Sequence, residues 1–412
     1  MGNGSEGRRV LSIQLKDAAI ITTGKLDANE AVNNGKYPFF TCGAKPLAIN
    51  EYAFDEDAIL LAGNNAHGVF HINRYKGKFN AYQRTYVLTA KDGYDVDFIR
   101  YSIEQRLKQL KRSSQGSQTK FLTMPLLESL ELDTPPKWRQ EQTASVLACL
   151  DKATVANRAI NDNLQSILQA LYGYWFMQFN FPDVNGRPYR SSGGRMSYNE
   201  KLGCSIPEGW HVASIVNNPL TDVITPGVDL FKTKTYYATA DVNGIDIGMG
   251  SSVDYEARES RANMQPGLHT VWFAKMKNSV KHLFLGHSMK RVIDDSILST
   301  GFMGLQCKKV AFEYISAFID GPYFERAKDQ YANGATQQAV GNAELESVYL
   351  VIPDDETLAR FHNLTRGLVE SIGETIIENK KLVELRDWLL PMLMNGQASV
   401  EAMQPNYRLP DC

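Results

Sequence analysis

Cysteine is scarce. The 412 residues hold five (Cys42, Cys149, Cys204, Cys307 and Cys412), all more than 50 residues apart. That spacing leaves no CxxC-type metal site, and the odd count argues against a disulfide framework. The seven histidines show no paired metal-ligand spacing. No apolar run reaches the roughly 18 residues of a transmembrane helix, and the opening MGNGSEGRRV has no hydrophobic stretch of the signal-peptide kind. A soluble, cytoplasmic chain is expected. Neither sign of charge dominates, with 44 Lys+Arg against 46 Asp+Glu, so net charge alone points to neither nucleic acid nor membrane. Catalytic signatures are missing too. There is no GxxxxGK[ST] phosphate loop, no HExxH and no GxSxG. The stretch GIDIGMGSS from Gly244 lacks the third glycine of a dinucleotide loop and a helical pattern after it. Pro353-Asp354 with Glu378-Asn379-Lys380 matches a nuclease pattern only superficially, because the residues fall on or just before a helical stretch.

What the chain does have is internal repetition, read before any element assignment. LESLELDTP from Leu127 recurs as LESVYLVIP from Leu345, 218 residues on. At the same step Gly116 meets Gly334, Asn161 meets Asn379 and Leu164 meets Leu382. Upstream, DFIRYSI from Asp97 matches EYISAFI from Glu313, and Ile59–Ala62 matches Val271–Ala274. A period of about 200 residues is a domain duplication rather than a solenoid. Charge follows the repeat. Ala58–Lys91 contains five basic residues and no acid, and Ser260–Ile293 contains six and no acid. A third acid-free run, Gln105–Leu127, carries another five.

Each repeat opens on short apolar runs bounded by Gly, Asn, Asp and Pro, a pattern of strands and turns with a few helices. Each closes on a long helical stretch. In the first, Val146, Leu150, Ala153, Asn157, Ile160, Leu164, Ile167, Leu171 and Tyr174 follow 4,3 spacing, a heptad seam. The helix starts after Pro135-Pro136, which cannot lie in a helix interior. In the second, Leu364, Leu368, Ile372, Ile376, Leu382, Leu385, Leu389 and Leu393 form a less regular set, with Asn379 on the seam or at its edge. Asp354 and Asp355 suit its first turn. The expected architecture is α+β: two mixed α/β domains, an internal pseudo-two-fold repeat, and two long helices paired as an antiparallel coiled coil. The boundaries read as 1–138 and 181–353 for the globular regions, 139–180 and 354–395 for the helices, and 396–412 for a tail. Helix pairing is assigned to Val146, Leu150, Asn157, Ile160, Leu164, Ile167 and Leu171 on the first helix. On the second it falls to Leu368, Ile372, Asn379, Leu382 and Leu389.

Globular region, long helix, globular region, long helix is an unusual order. Here it comes with Gly116-Ser117-Gln118, Leu127-Glu128-Ser129-Leu130, Pro135-Pro136 and then Glu141-Gln142 at a helix start. This resembles the specificity subunit of type I restriction–modification enzymes over roughly residues 10–395. The second copy departs from the pattern, with PDDETLAR in place of PP…EQ and Gly334-Ala335-Thr336-Gln337-Gln338 in place of Gly-Ser-Gln. The resemblance implies two target recognition domains reading a split sequence on double-stranded DNA. It implies two methyltransferase subunits and restriction subunits as partners, which would use S-adenosylmethionine, ATP and Mg, and no cofactor or chemistry in this chain. A coiled-coil scaffold that binds no DNA and a self-sufficient DNA-modifying enzyme are the other two readings. The DNA-binding candidates come from the basic windows and the polar loops. In the first copy they are Asn64, Asn65, His67, Arg74, Lys76, Lys78, Arg84, Lys111, Arg112, Gln118 and Lys120, and in the second Lys275, Lys277, Lys281, His282, Lys290, Arg291, Gln337 and Gln338. Lys and Arg supply phosphate contacts, while Asn, Gln, Arg and Lys can pair with base edges. Lys76-Gly77-Lys78 is expected at a hairpin tip, and Tyr75, Phe79, Tyr82 and Tyr86 as strand core.

Overall fold

The structure is a computed structural model that describes residues 11–65, 69–115, 119–334 and 338–398. The chain divides into two compact units, Met1–Lys152 with Leu385–Cys412, and Ala153–Glu384. Each long helix is therefore shared between units.

In the first unit a six-stranded sheet runs in the order 19–23, 85–90, 54–62, 72–81, 37–40, 47–49. All neighbours are antiparallel except 37–40 beside 72–81. The central strand Phe54–Ala62 is buried on both faces over its second half, Ala58–Ala62, which the continuous apolar run AILLA predicts. Ile59 and Leu61 pack with Leu88, Ile99 and Ile103, placing them under the helix Val96–Ser113. Ala58 and Leu60 turn the other way, to Phe40, Phe79 and Val87. The helix starts at Asp95, whose carboxylate accepts from Phe98 N at 2.8 Å, a side-chain N-cap. Its far face presents Phe98 and Tyr101 to Ala144 and Leu147 of the first long helix and to Leu389, Leu390 and Leu393 of the second.

In the second unit a four-stranded antiparallel sheet has the order 221–223, 302–307, 270–274, 282–285. Val271, Phe273 and Leu305 pack with Ile315, Phe318 and Phe324 of the helices Phe312–Asp320 and Pro322–Tyr331. The same core continues into Tyr172, Trp175 and Phe176, and into Phe361 of the second long helix. A second sheet, order 251–254, 233–237, 296–299, 262–264, has no counterpart among the described residues of the first unit. Its region rests on the second long helix, where Glu370 accepts the backbone amides of His287 at 3.0 Å and Ser288 at 2.6 Å. Gly373 lets this segment approach closely, since a Cβ there would lie 2.2 Å from Ser288 Oγ and would force that side chain to move.

Each unit repeats the pairings of the other. Leu11 faces Thr134 and His211 faces Ile352, each in an antiparallel pair. Leu15 N donates to Leu130 O in one unit and Ile215 N to Val348 O in the other. The strand order 19–23, 85–90, 54–62, 72–81 recurs as 221–223, 302–307, 270–274, 282–285.

The first long helix is α-helical over Lys137–Tyr172 and closes on a π turn, Gly173–Met177. The second spans Asp355–Met394. Their pairing is antiparallel. Within the second unit Asn157 Nδ2 donates to Glu378 Oε2 at 3.0 Å and Thr375 Oγ1 bonds Asn161 Oδ1, so one chain number rises as the other falls. The buried column differs from the expected one. Gln140, Thr143, Ala144, Leu147, Thr154, Asn161, Leu168 and Tyr172 are buried, whereas Ile160 and Ile167 are 47% and 48% exposed and Tyr174 is exposed as well. Leu150, Asn157, Leu164 and Leu171 flank the buried column and are half-buried. The assignment of Ile160 and Ile167 to helix pairing is thus corrected. The helix carries two columns one residue apart, and the buried one includes Thr154 and Asn161, so apolar spacing alone selects the other. On the second helix Ile372, Asn379 and Leu389 are buried and Leu368 and Leu382 half-buried, while Leu364 and Leu385 are exposed.

Asp354 caps the second long helix. Its carboxylate accepts from Thr357 N and Oγ1, both at 2.8 Å, and from Trp210 Nε1 at 2.9 Å. Burial would raise its pKa, but these bonds outweigh it and hold the carboxyl below its usual value. Asp354→Ala should cost about 1–2 kcal/mol in the second unit's transition when the full chain is unfolded by urea. Because the folded pKa is depressed, the contribution is present above the unfolded value of about 4 and is lost as pH falls through the folded pKa. An unfolding free energy equal to wild type at neutral pH would refute the cap.

Candidate nucleic-acid interface

Two small ladders, one in each unit, collect polar side chains in the same way. In the first, Asn64 pairs with Phe121 and Asn65 with Lys120. Gln115 and Phe121 exchange backbone bonds at 3.1 and 3.0 Å, and Leu122 N donates to Gly63 O at 2.8 Å. Gly63 N in turn donates to Arg84 O at 2.8 Å. Glycine is needed at 63, since a Cβ would lie 2.4 Å from that carbonyl oxygen. Asn64, Asn65, Arg84, Gln115 and Lys120 therefore sit on adjoining backbone. Arg84 is exposed, and Asn65 Oδ1 accepts from Val69 N at 3.3 Å.

In the second unit Met276 pairs with Ala339, and Asn333 pairs with Ala339. Lys277 N donates to Gln338 O at 2.9 Å, Val340 N to Lys275 O at 3.0 Å and Lys275 N to Gly301 O at 3.0 Å. Position by position, Gln115, Lys120, Phe121 and Leu122 correspond to Asn333, Gln338, Ala339 and Val340, and Gly63–Asn65 to Lys275–Lys277. Lys275 is half-buried, which pushes its pKa down. His67, Gln118 and Gln337 lie outside the described residues.

Other candidates are engaged elsewhere. Gly77 lies inside the strand Ile72–Ala81, opposite Glu56, not at a hairpin tip. The ladder sets Lys76 opposite Asp57 and Lys78 opposite Asp55, so carboxylates just upstream of the acid-free window meet it across the sheet. Arg74 is bound by Asp57 and, at 3.1 Å, by Asp97. Lys76 Nζ lies 3.8 Å from Asp57, and Lys78 Nζ 4.6 Å from the centre of the Tyr52 ring. Arg74 is thus held within the sheet by two carboxylates, while the Lys76 side chain stays 81% exposed. Phe79 and Tyr86 are core as expected, and Tyr75 packs against Phe79. Lys111 and Arg112 end the helix Val96–Ser113, exposed, where cations favour the helix C-terminus.

In the second window, Lys290 and Arg291 pair along their own helix with Asp294 at 2.8 Å and Asp295 at 3.9 Å, and Lys281 Nζ donates to Thr239 O at 2.5 Å. His282 is corrected outright. It is 1% exposed, with Nδ1 3.2 Å from Asp320 and Nε2 2.9 Å from Glu325. Burial would lower its pKa, but the two carboxylates outweigh that and raise it. Its partners lie some 40 residues away in sequence, beyond the reach of a count along one window. Sequence reasoning also passed over Asn333, which only the ladder brings to Ala339.

Among the described residues no group of three or more His, Cys, Asp and Glu side chains could hold a metal ion, and no helix is long and apolar enough to cross a membrane.

Residues 11–166 match the model of the type I restriction modification DNA specificity domain. The EcoDI specificity subunit of Escherichia coli is 35% identical over 158 residues, 38% of this chain and 35% of that protein. The match thus spans about a third of that relative's length. The MjaIX specificity subunit of Methanocaldococcus jannaschii is 24% identical over 341 residues, 77% of this chain and 72% of that protein. The crystal structure of the type I restriction–modification S subunit from M. genitalium superposes with a TM-score of 0.55 at 14% identity, covering 95% of this chain and 98% of that one. Residues 11–166 thus match a type I restriction modification DNA specificity domain, and over 95% of its length the chain shares the fold of the M. genitalium S subunit.

Proposed function

We propose that this chain is the non-catalytic DNA-reading subunit of a type I restriction–modification complex, with each recognition region reading one half of a bipartite target. The observation that carries this is the duplicated ladder. Side chains able to pair with base edges or phosphates sit at matching places in both units, Asn65 with Lys277 and Lys120 with Gln338, and they are joined by Asn64 and Arg84 beside the first ladder and by Lys275 beside the second. A scaffold that binds no DNA has no use for that duplication. Methyl transfer and cleavage, with their S-adenosylmethionine, ATP and Mg, belong in this reading to two methyltransferase subunits and to restriction subunits. The methyltransferases dock on the exposed column of the first long helix.

The test is binding of the purified full chain to duplexes selected from a randomised pool. Two separated motifs should be enriched. Arg84→Ala with Lys120→Ala should weaken binding and flatten the salt dependence by about one unit of slope for each phosphate no longer neutralised, and Lys277→Ala should do likewise. An unchanged slope in both variants, or no enriched motif, would overturn the reading. Methyl transfer by the chain alone would favour a self-sufficient enzyme instead.

A further inference from the structure

Lys328 is 0% exposed. A lysine is buried only when its charge is paired and its protons are bonded. Its ammonium lies 2.7 Å from Glu325 Oε2 and donates to Ser279 O at 2.9 Å. The next residue, Asp329, accepts from Asn278 N at 2.9 Å. Ser279 and Asn278 lie in the loop 275–281 that joins strands Thr270–Ala274 and His282–Leu285. Asn278 has φ 56°, a left-handed conformation that asparagine tolerates better than most residues but does not hold unaided. At the loop's far end His282 is fixed by Asp320 and Glu325, and Gln165 donates to Asp320 at 3.0 Å. At its near end stand Lys275 and Lys277, bonded to the Gln338–Val340 segment.

We propose that Lys328 and Asp329 are positioning residues: through them the helix Pro322–Tyr331 fixes the loop 275–281, and so the geometry with which Lys275, Lys277 and Gln338 meet DNA. The inference rests on the function proposed above. The first recognition region is built differently. Gln115 and Asn333 hold the same place in the two ladders, and counting back five residues from each gives Leu110 and Lys328. Leu110 is buried in an apolar core and carries no donor for a loop carbonyl. A buried ammonium is costly to keep, and among the described residues the place it holds in the second region is held by Leu110 in the first. Its loss therefore falls on one half of the target.

Two measurements on the full chain test this. The first is amide exchange. Asp329→Ala and Lys328→Met should raise exchange of residues 277–280 at least tenfold over wild type, while Asp329→Asn, which keeps an acceptor, should restore protection. The second is selection from the randomised duplex pool. Wild type should enrich two motifs, Asp329→Ala only one, and Asp329→Asn both. Asp329→Ala carries the test if Lys328→Met does not fold. Unchanged exchange in Asp329→Ala overturns the positioning role. Faster exchange with both motifs still enriched also overturns it, since the loop would then be held for something other than reading. If wild type enriches no motif, the proposed function fails while the exchange result still stands or falls by itself.

Discussion

Asp151→Ala should destabilise the first unit by about 3 kcal/mol, the low end of the range for breaking a buried ion pair, because the Asp151 side chain keeps 26% of its surface exposed. One carboxylate serves three donors: Tyr101 OH at 2.7 Å, Arg100 Nη2 at 2.8 Å and Arg386 Nη1 at 3.3 Å. Arg386 also reaches Glu104 at 3.3 Å. The network ties the helix Val96–Ser113 to both long helices, so loss of Asp151 leaves Tyr101 OH without its acceptor and two partly buried guanidinium groups short of one carboxylate each, with Arg100 kept by Asp97 and Glu104 and Arg386 by Glu104 and Asp387. Burial would raise the Asp151 pKa, but Arg100 and Tyr101 outweigh it and hold it low. The stabilisation is therefore present at neutral pH and is lost as pH falls through that depressed value. The step that carries Thr134 to Ile352 carries Asp151 to Val369 and Leu168 to Arg386. Val369 and Leu168 are buried in the apolar core of the second unit, so one half is clasped by charge where the other is packed by hydrocarbon. Unfolding by urea should separate into two transitions, since two units seldom melt as one, and only the first unit's should shift. Amide exchange in residues 96–113 assigns the transition. Asp151→Asn keeps an acceptor for Tyr101 and should lose less. A loss under about 1 kcal/mol in Asp151→Ala would show that water takes over the arginines at little cost.

The repeat was the most legible feature in the sequence. The match of LESLELDTP to LESVYLVIP sets the pairing of residues 131–134 and 349–352 in their sheets, because a strand's partner is fixed by the alternation of its buried face. The long helices were legible through length, the Pro135-Pro136 start and the acids Asp354 and Asp355, which suit a first turn, although in the structure Asp354 is the cap. The buried face of the first helix was not, because two apolar columns compete at heptad spacing and the winning one contains Thr154 and Asn161. Basic windows were the poorest guide to a site. A window is one-dimensional, whereas a sheet brings Asp57 to Lys76 across strands and a helix brings Asp320 and Glu325 to His282. The candidates that adjoin the two ladders are Asn64, Asn65, Lys120, Lys277 and Gln338, positions whose main chain is held by backbone pairing at strand-to-loop joints.

The exposed column of the first long helix supplies the last expectation. Within the second unit Ile160, Ile167 and Tyr174 recur at seven-residue spacing with roughly half of each side chain in water, and Val155 and Met177 are exposed near them. Within the first unit Leu385 and Trp388 of the second long helix are exposed as well. Scattered apolar residues on a surface need no explanation, but a heptad row along a helix is what a partner helix packs against. In the reading proposed above that partner is a methyltransferase subunit. The double change Ile160→Glu, Ile167→Glu adds two charges to the row without touching the ladders, and it leaves the buried column of Leu147, Asn161 and Leu168 in place. Each glutamate should cost at least about 2 kcal/mol at a desolvated contact, so assembly should weaken roughly a thousandfold for the pair. DNA affinity of the chain alone and its unfolding midpoint should stay within error of wild type. Co-purification of a tagged chain with its methyltransferase, quantified by calorimetry, measures the first, and duplex binding and urea unfolding measure the others. Undiminished assembly would place the methyltransferase elsewhere on the chain. A lowered unfolding midpoint would mean that the two isoleucines serve this chain's own packing.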